Sequence, residues 1–269
     1  MEIGISTATF FGKSLTEDSV RLIDDLGIPV CEIFLTTFSE YEKDFVDLLA
    51  ARKGGLRVYS IHTLNQHFEP ELFNPADRTR KDAEVWFGKA AYAAKTLGAE
   101  TYTFHGPARL KPRKRYVLDY PWIAARLRAL DAVLKEQGGG ARIAYETVHW
   151  TYFNSPAFIR ELHAHYGVAT CLDIKQVMQS QIPLDDYLAA MGDSIRNVHL
   201  CDYDDSGRLA VPGKGTFDFV SLFRRLVDLG YNGPMMMELY SGDYRNFDEV
   251  LAGYEYLNQC LEKAKRSLV

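Results

Sequence analysis

Arg142-Ile143-Ala144-Tyr145-Glu146 and Ala169-Thr170-Cys171-Leu172-Asp173 bracket a segment that carries Ser155-Pro156 and Gly167. Each flanking run has the length of a strand, is mostly apolar and ends in a carboxylate. Between them, a serine cap, a proline at the first helical position and a glycine stop punctuate a helix. A strand, a helix and a second strand in this order imply parallel pairing.

The same unit recurs on both sides. Further apolar runs lie at Glu2–Ser6, Val30–Leu35, Arg57–His62, Thr101–His105, Asn197–Cys201 and Met235–Glu238. Thr16 is expected to cap a helix that runs to Leu26 and stops at Gly27. Leu97-Gly98 and Leu229-Gly230 repeat that ending, and the last helix starts near Phe247. Eight strand–helix units in strict alternation predict one (β/α)8 TIM barrel in the α/β class, a single domain over residues 1–269; a doubly wound open sheet is the rival.

Composition fits this reading. The chain has 269 residues, 47% of them hydrophobic and 25% charged, enough to fill a large core. The formal net charge of −5 disfavours a nucleic-acid partner. Cys31, Cys171, Cys201 and Cys260 form no C-x-x-C pair and read as buried free thiols. No secretory signal or bilayer-length apolar run is present, so no membrane partner is expected and a cytoplasmic location is the default.

Six of the predicted strands end in a residue able to bind metal: His62, His105, Glu146, Asp173, His199 and Glu238. In a barrel these ends converge on one mouth, where the long segments 63–77, 106–120 and 202–218 also emerge. Alternation would turn Arg142 and Ala144 inward with Glu146, Ala169 and Cys171 with Asp173, Asn197 with His199, and Met236 with Glu238. Three carboxylates and one imidazole in a confined mouth would repel unless a cation offsets them. Such a donor set suits one divalent metal ion, Mn, Zn, Co or Mg. The competing reading is a buried ion-pair network through Arg142 or Lys175.

These strand ends resemble the xylose-isomerase-like barrel superfamily, in its sugar phosphate isomerase/epimerase branch. The resemblance also rests on Val198-His199-Leu200-Cys201-Asp202 and Gly213-Lys214-Gly215-Thr216-Phe217-Asp218-Phe219. It spans the whole chain and implies that Glu146, Asp173, His199 and Glu238 bind one metal. It also implies a metal-dependent enzyme of carbohydrate metabolism, an isomerase or epimerase of a sugar or sugar phosphate working through an enediolate. Glu146 and Glu238 would be its catalytic acid–base pair. The resemblance also admits a homo-oligomer.

Many relatives have a histidine three residues after the strand-six aspartate; here it is Gln176. Ketose epimerases of the family place an arginine soon after the strand-seven histidine; the nearest here is Arg208. Lys175, Gln176 and Arg208 are therefore candidates for holding substrate. His62 and His105 either contact substrate, help bind a second metal, or are satisfied mouth histidines. Trp150 is placed to stack on a sugar, and Glu32 reads as a buried structural partner. The basic run Arg109, Lys111, Arg113, Lys114, Arg115 either clamps a phosphate or is a solvated face. Gly213-Lys214-Gly215 reads as a mobile loop over the site, with Thr216 or Asp218 capping the next helix.

Two other reactions fit such a barrel. An abasic-site endonuclease would need a late Asp-x-His pair, and no histidine follows His199. A keto-polyol dehydratase would use the same enolisation. A sugar-binding barrel without chemistry is the non-enzymatic alternative.

Overall fold

The computed structural model describes residues 1–64, 67–106, 118–149, 151 and 154–266. The barrel strands are β1 (Glu2–Ser6), β2 (Val30–Leu35), β3 (Arg57–Thr63), β4 (Thr101–Phe104), β5 (Arg142–Glu146), β6 (Thr170–Asp173), β7 (Ile195–Leu200) and β10 (Pro234–Met237). A short antiparallel pair, β8 (Asp202–Tyr203) and β9 (Leu209–Ala210), interrupts the series after β7. The parallel strands close in chain order, with β10 between β7 and β1. The chain is thus a single (β/α)8 barrel, and the open-sheet alternative is excluded.

The strands form where apolar and β-branched residues cluster, and the intervening helices pack outside them: α1 (Thr16–Asp25), α2 (Lys43–Arg52), α3 (Asp77–Leu97), α4 (Tyr120–Gln137), α5 (Pro156–Tyr166), α6 (Ile174–Ser180), α7 (Leu184–Met191), α8 (Phe219–Asp228) and α9 (Phe247–Arg266). The Ser155 hydroxyl accepts from the Phe158 amide at the start of α5, and Gly167 ends it in a left-handed conformation. Asp218, rather than Thr216, caps α8 by accepting from the Ser221 amide. Thr16 does not cap α1. Leu15 holds that place without a side-chain bond, and the Thr16 hydroxyl donates to Glu40.

One large apolar cluster fills the space between barrel and helices, and all four cysteines are buried and free. A small cluster of Val30, Tyr59 and Met236 lies apart from it. Arg142 is exposed at the start of β5, the end of the strand away from Glu146, so it cannot neutralise the mouth. No helix among the described residues is long and apolar enough to cross a membrane.

Candidate active site

Register sets the mouth. Asp173 pairs with His199 across β6 and β7, and His199 with Met236 across β7 and β10. Glu238 lies one residue beyond β10, yet its amide still donates to Leu200 O at 3.0 Å, which ties it to the sheet. Glu146 ends β5, next to β6. Four successive strand ends thus deliver Glu146, Asp173, His199 and Glu238 to one place.

Within this group four atoms are buried and lack a hydrogen-bond partner: Glu146 Oε2, Asp173 Oδ2, His199 Nδ1 and Glu238 Oε2. Ligand atoms of Glu146, Asp173 and His199 all lie within 4.8 Å of one another. His199 Nδ1 is 2.6 Å from Glu238 Oε2 and 3.7 Å from Asp173 Oδ2. The 2.6 Å approach lacks hydrogen-bond geometry. Unpaired buried polar atoms are costly; the Glu146, Asp173 and His199 atoms lie within reach of one another and Glu238 adjoins them at His199, a donor set that fits a divalent cation.

The second polar atoms of Asp173, Glu238 and His199 are held by the protein. Asp173 Oδ1 accepts from the Gln176 amide at 3.0 Å, so the residue also caps α6. Glu238 Oε1 lies 3.3 Å from Lys175 Nζ. His199 Nε2 is 3.1 Å from Glu32 Oε2. Glu32, fully buried on β2, also accepts from the Ser6 and Thr103 hydroxyls and from Asn197 Nδ2, and meets His62 Nδ1 at 3.2 Å. A proton on His199 Nε2 facing Glu32 leaves Nδ1 as a lone pair toward the carboxylates, the usual arrangement behind a metal-binding histidine. Glu32 is thus the buried structural partner the sequence suggested.

Electrostatics point the same way. Burial, first, and the Asp173 charge, second, push the Glu146 carboxyl well above the usual range. Burial acts in the same direction on Glu238, but Lys175 and His199 outweigh it and hold that carboxyl low. Burial is likewise outweighed at Asp173, by Lys175 and His199, and its carboxyl is lowered. His199 rises well above the ordinary histidine range because Cys171, Glu32 and Glu238 outweigh burial. Glu146 and His199 thus favour protonation that a bound cation would displace.

His62 and His105 stand beside the quartet. Their Nε2 atoms are 2.9 Å apart, and His105 Nε2 is 3.3 Å from Glu146 Oε2. Glu69, in the turn Glu69–Phe73 after β3, secures His105 from behind. It is 0% exposed, accepts from the Thr63 and Tyr102 hydroxyls and the His105 amide, and lies 3.3 Å from His105 Nδ1. Nothing in the sequence singled out Glu69, which sits in a loop with no pattern of its own.

A cavity of about 180 Å³ opens over the cluster, lined by Phe34, Leu64 and Val148 besides His62, His105, Glu146, Lys175, Gln176, Glu238 and Tyr240. Gln176 Oε1 accepts from the His149 amide at 3.0 Å and meets its Nδ1 at 2.7 Å, which leaves the Gln176 NH2 as a donor. Phe34 packs edge-on against His62, and Tyr240 covers Lys175 with the ammonium 4.5 Å from its ring centre. Neither aromatic residue was singled out in the sequence. Arg208 is not part of this wall. It is 83% exposed beside the β8–β9 pair and forms an ion pair with Asp204 at 2.8 Å. Trp150 and the basic run at 109–115 lie outside the described residues.

The glycine segment after β9 is anchored. The buried Asp202 carboxylate accepts from the Gly213, Gly215 and Phe217 amides at 2.9–3.0 Å, and Lys214 pairs with Glu249 at 2.8 Å. That geometry departs from the mobile loop expected there.

Fold and site together define a (β/α)8 barrel with a carboxylate–imidazole cluster at its strand ends. The sequence matches the xylose isomerase-like TIM barrel family over residues 20–260, and the chain belongs to that family. An uncharacterised protein of Mycobacterium tuberculosis strain H37Rv is 24% identical over 277 residues, 93% of this chain and 92% of that protein. A D-tagatose 3-epimerase-like protein superposes with a TM-score of 0.81 over the whole of both chains at 18% identity. D-psicose 3-epimerase from Clostridium cellulolyticum H10, solved with D-tagatose, gives 0.75 over 97% of this chain and 99% of that one, at 17% identity.

Proposed function

We propose that the protein is a divalent-metal-dependent isomerase or epimerase of a sugar or sugar phosphate. Glu146, Asp173, His199 and Glu238 would hold the ion, and Glu146 and Glu238 would exchange the proton. The observation that carries this reading is the set of four buried, unpartnered ligand atoms at successive strand ends. Family membership and the resemblance to ketose epimerases support it.

A bound divalent cation supplies Lewis-acid polarisation of a carbonyl and its neighbouring hydroxyl and offsets the charge of an enediolate. The protein's part is proton transfer and positioning. Between β5, which carries Glu146, and β10, which precedes Glu238, stand β6 and β7. The two carboxylates would then reach a carbon held between them from different positions around the barrel. If one removes the proton from the C–H beside the carbonyl and the other returns a proton to the opposite face of that carbon, the centre is inverted. Return to the former carbonyl carbon, with the hydroxyl proton passing to the former carbonyl oxygen, moves the carbonyl instead. His62, His105, Lys175 and the Gln176 NH2 would bind sugar oxygens, while Phe34, Leu64 and Val148 keep that wall dry.

The test begins with the metal. Elemental analysis of the purified protein should find about one equivalent of Mn, Co, Zn or Mg, lost in Glu238→Ala. Free and phosphorylated ketoses incubated in D2O should then gain deuterium at the carbon beside the carbonyl. Glu146→Ala and Glu238→Ala should each slow this exchange by about 10²-fold or more. A protein that neither carries nor takes up metal, or variants that exchange at the normal rate, would refute the proposal. Accumulation of a dehydrated product in place of an isomer would move the reading to a keto-polyol dehydratase.

A further inference from the structure

The carboxylates of the quartet are not equally free to chelate. Asp173 offers only Oδ2, because Oδ1 is bonded to the Gln176 amide at the start of α6. Glu238 offers only Oε2, because Oε1 is held by Lys175 at 3.3 Å. Lys175 is an unusual occupant of such a place, 3% exposed, with its ammonium between Glu238 and Asp173 and under the Tyr240 ring.

Coordination chemistry attaches a consequence to this. Calcium takes six to eight oxygens at long distances and commonly fills its shell with bidentate carboxylates. Magnesium and the small transition ions accept fewer ligands at about 2.0–2.2 Å. A carboxylate whose second oxygen is already bonded to an ammonium can serve as a one-oxygen ligand only, unless that bond is broken inside a buried site.

Resting on the metal-dependent reading above, we infer that Lys175 is a positioning residue that selects the ion. It restricts Glu238 to one-oxygen ligation and so makes the centre favour small divalent ions over Ca2+. Its nearness to the ion also weakens binding of every divalent cation through charge repulsion, so selectivity shows in the ratio of affinities rather than in either one.

The experiment is calorimetric titration of the metal-stripped full-length protein with MnCl2 and, separately, CaCl2, for the wild type, Lys175→Met and Lys175→Arg. Carboxylate infrared difference spectra are recorded on Mn2+ addition. The wild type should bind Mn2+ at least about 100-fold more tightly than Ca2+, and Lys175→Met should gain two-oxygen carboxylate absorption relative to the wild type. Lys175→Met should cut the Mn2+/Ca2+ ratio by about tenfold or more, and Lys175→Arg should retain most of it. An unchanged ratio in Lys175→Met overturns the inference, as does a wild-type Mn2+/Ca2+ ratio near one, which needs no variant to fold. If Mn2+ binds to the wild type and is lost in Glu238→Ala while the ratio ignores Lys175, only the role of Lys175 fails. If Mn2+ does not bind at all, the metal-dependent reading fails with it.

Discussion

Glu32 lies beneath the quartet with its two oxygens divided between His62 and His199. Its effect on the mouth is indirect, since it fixes which nitrogen of His199 faces the carboxylates. Glu32→Gln keeps the shape and removes the charge that holds the His199 Nε2 proton. We expect Mn2+ affinity to fall by about 10- to 100-fold with the far-ultraviolet circular dichroism spectrum retained. Equal affinity in a calorimetric titration would remove the orienting role. At this scale the sequence was informative where position alone carried the meaning. Glu146, Asp173, His199 and Glu238 were legible because a strand end in a barrel has one destination. Glu69 was not, because its three bonding partners lie on β3, on β4 and just after β4, and only the closed sheet gathers them. Arg208 was misleading for the converse reason. It is near His199 in sequence, but Asp204 captures its guanidinium on the β8–β9 pair.

The segment between β7 and α8 shows what composition conceals about an element. Glycines at 213 and 215 suggest mobility, yet one carboxylate organises the segment through three backbone amides. Gly215 is required sterically, since a Cβ there would fall on Asp202 Oδ1 and Tyr203 O. The pattern of residues 198–219 was therefore legible as a unit, but not as an anchored one, because its organiser lies eleven or more residues before the amides it holds. Asp202→Ala removes a buried acceptor from four backbone amides, the three of this segment and that of Tyr203. Each such bond contributes about 1.5–3 kcal/mol, and water re-enters a cavity this near the surface, so a net loss of about 3 kcal/mol is expected. Urea denaturation should show that loss, and amide exchange should quicken at residues 213–217. Rapid exchange at those amides in the wild type would instead restore the mobile loop.

Across the whole molecule the two ends of the barrel do different work. The alternation of strand and helix gave the architecture because period and punctuation are local properties, and closure follows from eight units. Depth along a strand was harder to read than its face, and Arg142 shows why: alternation groups it with Glu146, but at the first residue of β5 it is exposed at the far end of the strand. At the opposite end the mouth stores like charge, and this couples metal binding to global stability and to pH. At a free metal concentration of about 100 times Kd, binding adds about 2.7 kcal/mol, or about 5–10 °C in Tm for a chain of this size. The sign of the pH effect follows from which state holds the proton. Glu146 and His199 have folded-state pKa values above their ordinary ones, so above the ordinary range of each the folded metal-free chain binds a proton that the unfolded chain has released. Their contribution is complete below the unfolded pKa and is lost as pH rises toward the folded one. Asp173 and Glu238 are shifted down, so their contribution is present above the carboxylate range and vanishes only in acid. Above about pH 6.5, where His199 joins Glu146 in this behaviour, the metal-free protein should therefore lose stability as pH rises. The loaded protein, whose ion has displaced both protons, should not lose this contribution. The stability gained on adding Mn2+, read as a rise in Tm, should accordingly increase between about pH 6.5 and 8, by up to about 1.4 kcal/mol per pH unit for each proton released. Differential scanning calorimetry with and without Mn2+ measures it, and the difference between the two curves cancels groups remote from the mouth. A gain that stays flat across this interval would mean that the ion displaces no proton and that the cluster is already ionised without it.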